Sequence, residues 1–342
     1  MLDLQDEVER RKKIILSFAE ECIDEKDLEE RLEYAIRNNV ELVAYDGMEP
    51  SGKLHIGHGL LRAINVNKLV DAGFKFKFYI ADWFAKMNMK FDGDMNQIHN
   101  TGVEMMILWD ACGMKMENVE FVWASEEITR KPAEYWQLVL DISTKFNVEK
   151  VFKCSPNTLL TNDDNTLSPL SSQVLYPIMQ CADIFFLNVD ICSLGMDQRD
   201  TNLLAREYCD LNKNCKKPIL IHHHMLLGVD GTKMSKSNPE HAIFMEDSTK
   251  EIKKKIYRAV PEAILEYYRY IIFEIETEPI TISILELFAE NNIDYVNFDN
   301  YDSLYESYLL NKVNINELKD AGCIYILKYI NEFKDRLHNN IY

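Results

Sequence analysis

Between residues 41 and 124 short apolar runs alternate with segments of helical period. ELVAYDG at 41–47, FKFKFYIA at 74–81 and VEFVWA at 119–124 read as strands, and helices are predicted over 56–72 and 95–113 between them. Connections of that length cross a sheet face, so the pattern predicts a parallel sheet with helices on both sides. The alternation stops over about 130–172, where helices and the polar stretch SPNTLLTNDDNTLSP form an insertion between two halves of the sheet. It resumes with NVDICSL at 188–194 and KPILIHH at 217–223, which flank a helix predicted at 198–210. Residues 4–38 carry helical periodicity. In KEIKKKIYRAV at 250–260, Ile252, Ile256 and Val260 form one apolar stripe beneath the lysines, and after about 260 the chain reads as helical to its end. The expected fold class is α/β, a doubly wound parallel sheet with a helical insertion, followed by an all-helical C-terminal domain. The predicted divisions are N-terminal helices over 1–38, a sheet domain over 39–260 and the helical domain over 261–342.

Several classes of protein are disfavoured. No apolar run approaches the roughly 18 residues of a membrane span, and the start is charged from Asp3, so neither a signal peptide nor a membrane anchor is expected. Eight cysteines show no CxxC pair and no zinc-knuckle spacing, which favours reduced thiols and a cytoplasmic setting. A net charge of −18, from 38 basic and 56 acidic residues, opposes general nucleic-acid binding and argues against DNA. Total charge leaves room for local basic patches, and RRKK at 10–13 and KEIKKKIYR at 250–258 are two candidates, although such runs are ordinarily solvated helix faces.

The stretch YDGMEPSGKLHIGHGLL at 45–61 joins the first strand of the alternation to its first helix. A Gly-rich strand-to-helix turn offers unpaired backbone N–H groups and the positive end of a helix dipole, which together suit phosphate. His55 and His58 are three residues apart, so on a helical turn both imidazoles face the same side and can donate to an anion. A metal pair or simple capping histidines are the alternatives. The loop GTKMSKSNPE at 231–240 carries Lys233 and Lys236 among Gly, Ser and Asn, a double positive charge able to reach a polyphosphate without Walker-type spacing. A solvated lysine loop is the bland reading when that loop is taken alone.

Taken together, HIGH at 55–58 and KMSKS at 233–237 resemble class I aminoacyl-tRNA synthetases. YDGMEPSGKLHIGH, YIADWFAKMN, YPIMQCADIF, DICSLGMDQR and NLLAREY are similar to the tyrosyl-tRNA synthetases of the archaeal and eukaryotic branch, closely over about 35–260 and loosely beyond. The resemblance implies a Rossmann-type catalytic domain and a two-step reaction: tyrosine and ATP give tyrosyl-adenylate and pyrophosphate, and the tyrosyl group then passes to the 3' end of tRNA(Tyr). It implies ATP with Mg2+ as substrate, no tightly bound cofactor, no metal site held by the protein, and a homodimer. His55, His58, Lys233 and Lys236 fall at the catalytic positions. Tyr45 and Asp183 match the residues that meet the substrate hydroxyl, while Tyr176, Gln180 and Gln198 match those around the α-amino group and ring. Gly47, Gly57, Gly195 and Asp197 match ATP-binding positions, Gly195 and Asp197 at the ribose.

No editing domain is implied, and the insertion at 130–172 is too short for one; it resembles a connective segment used for dimer contacts. The segment from about 261 resembles a domain that contacts the anticodon stem. Two departures stand out: Cys154 to Ser168 lacks the basic residues common in relatives, and Glu317 occupies a position where an Asp commonly reads an anticodon base. A tryptophan-specific ligase and a synthetase-like RNA-binding protein without activity are the competing functions.

Overall fold

The computed structural model describes residues 4–154, 170–212, 215–285 and 293–341. The chain divides into two compact units. The first comprises Met1–Ser51, Val66–Glu104 and Lys115–His224, and the second Gly52–Asn65, Met105–Met114 and Met225–Tyr342.

The first unit is built on a six-stranded sheet: β1 (Ala19–Ile23), β2 (Leu42–Met48), β3 (Phe74–Ile80), β4 (Val119–Trp123), β5 (Ile191–Gly195) and β6 (Ile219–His223), in the order β1-β6-β5-β2-β3-β4. All pairings are parallel except that of β1 with β6. β5 and β6 are buried at every position, as expected of strands covered on both faces, which is why they read as continuous apolar runs. From β2 the order runs outward through β3 to β4 on one side and through β5 to β6 on the other. The carboxyl ends of β2 and β5 therefore flank a topological switch point, where open α/β sheets bind ligands. The helix Ser171–Phe186 supplies a long run of buried side chains beside this sheet, and Pro132–Ser143 and Val148–Lys153 are the described helices of the expected insertion. The stretch between Cys154 and Ser168, singled out for its lack of basic residues, lies almost wholly outside the described residues.

Three expectations need correction. Residues 4–38 are not helical throughout: helices Leu4–Leu16 and Glu25–Asn38 enclose β1, whose sequence AEECI lacks an apolar alternation. Its acidic side chains are matched instead by partners from elsewhere in the unit, Glu20 by His224 (3.1 Å), and Glu21 by His222 (2.8 Å) and by Arg199 through both Nε and Nη2. The segment after 260 is not all-helical either, because β7 (Ile280–Leu285) pairs antiparallel with β8 (Ile293–Phe298). There Ile280 and Ile282 are buried while Thr281 and Ser283 are not, the period-two pattern of a half-buried strand. Finally, Cys209 and Cys215 are joined by a disulfide, with Cα atoms 4.9 Å apart, so the eight thiols are not all free. A spacing of six at a helix end gives no sequence signal for pairing.

The second unit is mainly helical, with Thr249–Arg258, Pro261–Tyr267 and Ile315–Ile341 as its main helices. The first opens with a capping box: Ser248 Oγ accepts from the Glu251 N–H, and Glu251 Oε2 accepts from the Ser248 N–H at 2.8 Å. Ile252 and Ile256 are buried as the apolar stripe requires, and Val260 is half-buried. Among the described residues no helix is long and apolar enough to cross a membrane.

Candidate active site

In the first unit a set of buried polar side chains gathers near the switch point. Tyr45 projects from β2 and Tyr79 from β3, their ring centroids 6.1 Å apart. Asp183, on the helix Ser171–Phe186, is 1% exposed. Tyr79 Oη donates to its Oδ1 at 3.0 Å, and Tyr135 Oη, from the helix Pro132–Ser143, donates to the same oxygen at 2.9 Å. Among the described residues no hydrogen bond reaches Oδ2. Burial raises the Asp183 pKa to about 8 against the two tyrosine donors, which favour the carboxylate. Burial, followed by the field of Asp183, likewise holds the Tyr45 phenol far above its ordinary value. A buried carboxyl with one oxygen unserved is costly unless a further donor arrives.

The ends of β2 and β5 add a second polar group. Tyr176 Oη donates to Glu49 Oε1 at 2.8 Å, and Asn88 Nδ2 donates to the same oxygen at 2.5 Å. Gln180 Nε2 donates to Gln198 Oε1 at 3.2 Å, while the Gln180 amide oxygen is buried without a partner. Gly195 ends β5, and Asp197 lies in the single 3-10 turn Met196–Gln198 that follows. Gly47 sits under Tyr45, with its absent β-carbon 3.1 Å from Tyr45 Oη.

The second unit holds the histidines and lysines. Where an ordinary helix start was expected, Gly57–Leu61 forms a π-turn, closed by Leu61 N–H to Ile56 O at 3.0 Å. Such turns recur at functional sites. The His55 and His58 rings stack with centroids 4.0 Å apart and planes at 27°. Gly57 permits this packing, since a β-carbon there would lie 3.2 Å from His55 Nδ1. The turn is anchored by Trp109 Nε1, which donates to His58 O at 2.8 Å, and by the Ile56 N–H, which donates to Ile243 O at 2.9 Å.

Both ring nitrogens of His55 and Nδ1 of His58 are buried without a partner. Burial lowers the His55 pKa to about 3, with Lys236, Arg62 and Lys233 lowering it further. His58 is held well below its ordinary value by burial first, then by His55 and the same three cations. The fields of Lys233 and Lys236 thus reach both imidazoles, so the two motifs separated in sequence act in one neighbourhood. Met234, between the lysines, is buried and ties the loop down through its N–H to Leu226 O at 2.9 Å, leaving Lys233 exposed and Lys236 half-buried. Two neutral imidazoles with unpartnered ring nitrogens amid cations are chemically suited to anionic oxygen. Among the described residues no group of three or more His, Cys, Asp or Glu side chains is arranged to hold a metal ion.

Sequence reasoning missed Tyr79, Tyr135, Glu49 and Arg62. The first three are ordinary strand, helix and loop residues until the chain folds. Arg62, four residues after His58 and one beyond the stretch 45–61, could have been flagged as a further cation. Glu317 is 8% exposed and serves the last helix: its carboxylate accepts from the Asn314 N–H at 2.7 Å, and Asn314 Oδ1 accepts from the Glu317 N–H at 3.2 Å.

A doubly wound sheet with a cluster of buried polar side chains at its switch point, in one chain with paired histidines and lysines suited to polyphosphate, defines a class I aminoacyl-tRNA synthetase. Residues 37–322 match the family described as tRNA synthetases class I (W and Y), and the chain belongs to that family, in its tyrosyl branch of archaeal and eukaryotic type. It is 44% identical over 313 residues to the Arabidopsis thaliana protein named tyrosine–tRNA ligase 1, cytoplasmic, covering 89% of this chain and 79% of that one. A Leishmania major tyrosyl-tRNA synthetase solved with tyrosinol superposes with a TM-score of 0.84 at 35% identity, covering 96% of this chain and 50% of that one. This chain therefore spans about half the length of the Leishmania protein. A tyrosyl-tRNA synthetase from Aeropyrum pernix superposes with a TM-score of 0.82 at 29% identity, covering 96% and 94% of the two chains.

Proposed function

We infer that this chain is a tyrosine-tRNA ligase, activating L-tyrosine with ATP and transferring it to tRNA(Tyr). The observation that carries the tyrosine assignment is the buried Asp183 carboxyl, whose Oδ2 has no partner among the described residues and which has Tyr45 beside it. A phenol satisfies that oxygen, whereas a phenyl ring has no donor and leaves it desolvated and unpaired.

In the first step a carboxylate oxygen of tyrosine attacks the α-phosphorus of ATP, and the bond to the bridging oxygen breaks to release pyrophosphate. Negative charge grows on the phosphate oxygens during this displacement, so catalysis consists of positioning and charge stabilisation. His55 and His58, neutral at physiological pH, donate N–H bonds to phosphate oxygens without losing protons. Lys233 and Lys236 supply positive charge for the departing pyrophosphate. Tyr176, Gln180 and Gln198 hold the α-ammonium and ring, the unpaired Gln180 oxygen being an acceptor for the ammonium. Glu49, already bonded to Tyr176, adds a carboxylate close by. Gly47, Gly57, Gly195 and Asp197 accommodate the adenosine and phosphates. Magnesium arrives with ATP as part of the substrate. In the second step a terminal ribose hydroxyl of the tRNA attacks the tyrosyl carbonyl and AMP leaves, so no protein nucleophile is required.

Residues 261–342 contact the anticodon stem of the tRNA. The helices of the insertion form the contact between two copies of the chain: Trp136, Leu140 and Val148 on them are 39%, 64% and 63% exposed, an apolar series suited to a homodimer. The cytoplasm is the proposed location, as in the names of the Arabidopsis relatives. Charging of tRNA with labelled tyrosine tests this function: tyrosine is incorporated in an ATP-dependent manner, and a protein that charges no amino acid contradicts it.

A further inference from the structure

Asp183 accepts two tyrosine hydroxyls on a single oxygen, although the carboxyl group offers two. Tyr79 reaches Oδ1 from β3 and Tyr135 reaches it from the helix Pro132–Ser143, 104 and 48 residues away in sequence. Both tyrosines are buried completely or nearly so, at 1% and 0% exposure, and neither ring is free to turn away. Tyr79 packs edge-on against Phe84 and Tyr135 edge-on against Phe186, with centroids 6.3 and 5.0 Å apart. The residues are therefore fixed twice, by their rings and by their hydroxyls.

We propose, building on the tyrosine-ligase reading, that Tyr79 and Tyr135 are positioning residues for amino-acid selection. By donating jointly to Asp183 Oδ1 they orient the carboxyl group and reserve Oδ2 for the substrate phenol. An oxygen that accepts two hydroxyl protons cannot carry one of its own without displacing a donor. Any proton on Asp183 therefore resides on Oδ2, the atom that must accept from the substrate, and protonation competes directly with recognition of tyrosine.

The groups facing Asp183 are Tyr45 from β2, Tyr79 from β3, Tyr135 from the helix Pro132–Ser143, and Tyr176 and Cys181 from its own helix. Burial pushes the ionisation of all five upward, so each stays neutral in the working range. Among the described residues no cation acts on Asp183, and the two tyrosine hydroxyls are the groups that favour its ionised form. Removing either donor drives the Asp183 pKa further up.

The test is tyrosine- and phenylalanine-dependent ATP/pyrophosphate exchange across a range of pH by Tyr79→Phe, Tyr135→Phe and the double variant. Each single change is expected to raise the KM for tyrosine about tenfold, to leave the KM for ATP unchanged, and to shift the acid limb of kcat/KM for tyrosine to higher pH. Selectivity for tyrosine over phenylalanine falls by a similar factor, because phenylalanine draws nothing from the carboxyl. In an Asp183→Ala background the same changes leave selectivity where that variant has it, since the shared acceptor is gone. An unmoved acid limb with unaltered selectivity, or equal losses for both amino acids, overturns the proposal. Failure of the unmodified protein to use tyrosine at all refutes the ligase reading instead.

Discussion

The hydroxyl of Tyr45 lies over Gly47, 3.1 Å from the point where a β-carbon on that glycine would stand. Tyr45 is 2% exposed, so its hydroxyl can yield only by shifting among buried neighbours. Gly47→Ala is therefore expected to raise the KM for tyrosine by about tenfold, the scale of one disturbed hydrogen bond, while melting temperature changes little. Steady-state exchange kinetics with tyrosine as the varied substrate read the effect.

The histidines and lysines proposed to hold phosphate make a different demand. His58→Ala should slow tyrosyl-adenylate formation by about 10²- to 10³-fold, the usual cost of removing a donor that acts on developing charge. Lys236→Ala should likewise slow that step, and both should leave tyrosine affinity nearly intact. Pre-steady-state measurement of adenylate separates these effects from substrate binding.

Histidine burial also predicts how stability depends on pH. The folded-state pKa of His55, about 3, lies below its ordinary 6.5, so between those values the unfolded chain binds a proton that the folded chain does not. Its contribution to stability is present above pH 6.5 and is lost as pH falls toward 3. Melting temperatures should decline through that window, and His55→Gln should flatten the decline.

Asp183 has the opposite sign. Its folded-state pKa of about 8 exceeds the ordinary 3.8, so its contribution is full below 3.8 and is lost as pH rises toward 8. Asp183→Asn should remove that slope and raise the melting temperature at pH 8 relative to the parent protein. Asp183→Ala should impair tyrosine use far more than ATP binding. Thermal melts at several pH values, paired with exchange kinetics, check both expectations.

Packing in the first unit is tight at Gly102, where a β-carbon would lie 2.5 Å from Trp123 Cη2 and 3.2 Å from Ile80 Cγ2. Gly102→Ala should destabilise the protein by about 1–3 kcal/mol, the range for overpacking a filled core. Chemical denaturation followed by circular dichroism measures it.

β5 and β6 were legible because parallel strands covered on both faces appear as short apolar runs, and β2 to β4 because their apolar residues stand in short runs between segments of helical period. β1 was hidden because Glu20 and Glu21 are matched to His224 and to His222 with Arg199, partners that no local window contains. The β7–β8 pair lay inside a segment read for helical period, although Ile280 and Ile282 alternate with polar residues. His55, His58, Lys233 and Lys236 could be recognised from residue type and motif. Tyr79, Tyr135 and Glu49 could not, since FKFKFYIA and AEYWQLVL look like an ordinary strand and helix, and what those side chains touch is decided by packing across the fold.

In the proposed reaction a buried carboxyl beside Tyr45 selects the phenol of tyrosine for activation by ATP. Amino-acid-dependent ATP/pyrophosphate exchange, run in parallel with tyrosine, tryptophan and phenylalanine, tests it most directly. Exchange is expected with tyrosine, and background rates with the other two; exchange driven by tryptophan and absent with tyrosine would overturn the assignment of Asp183.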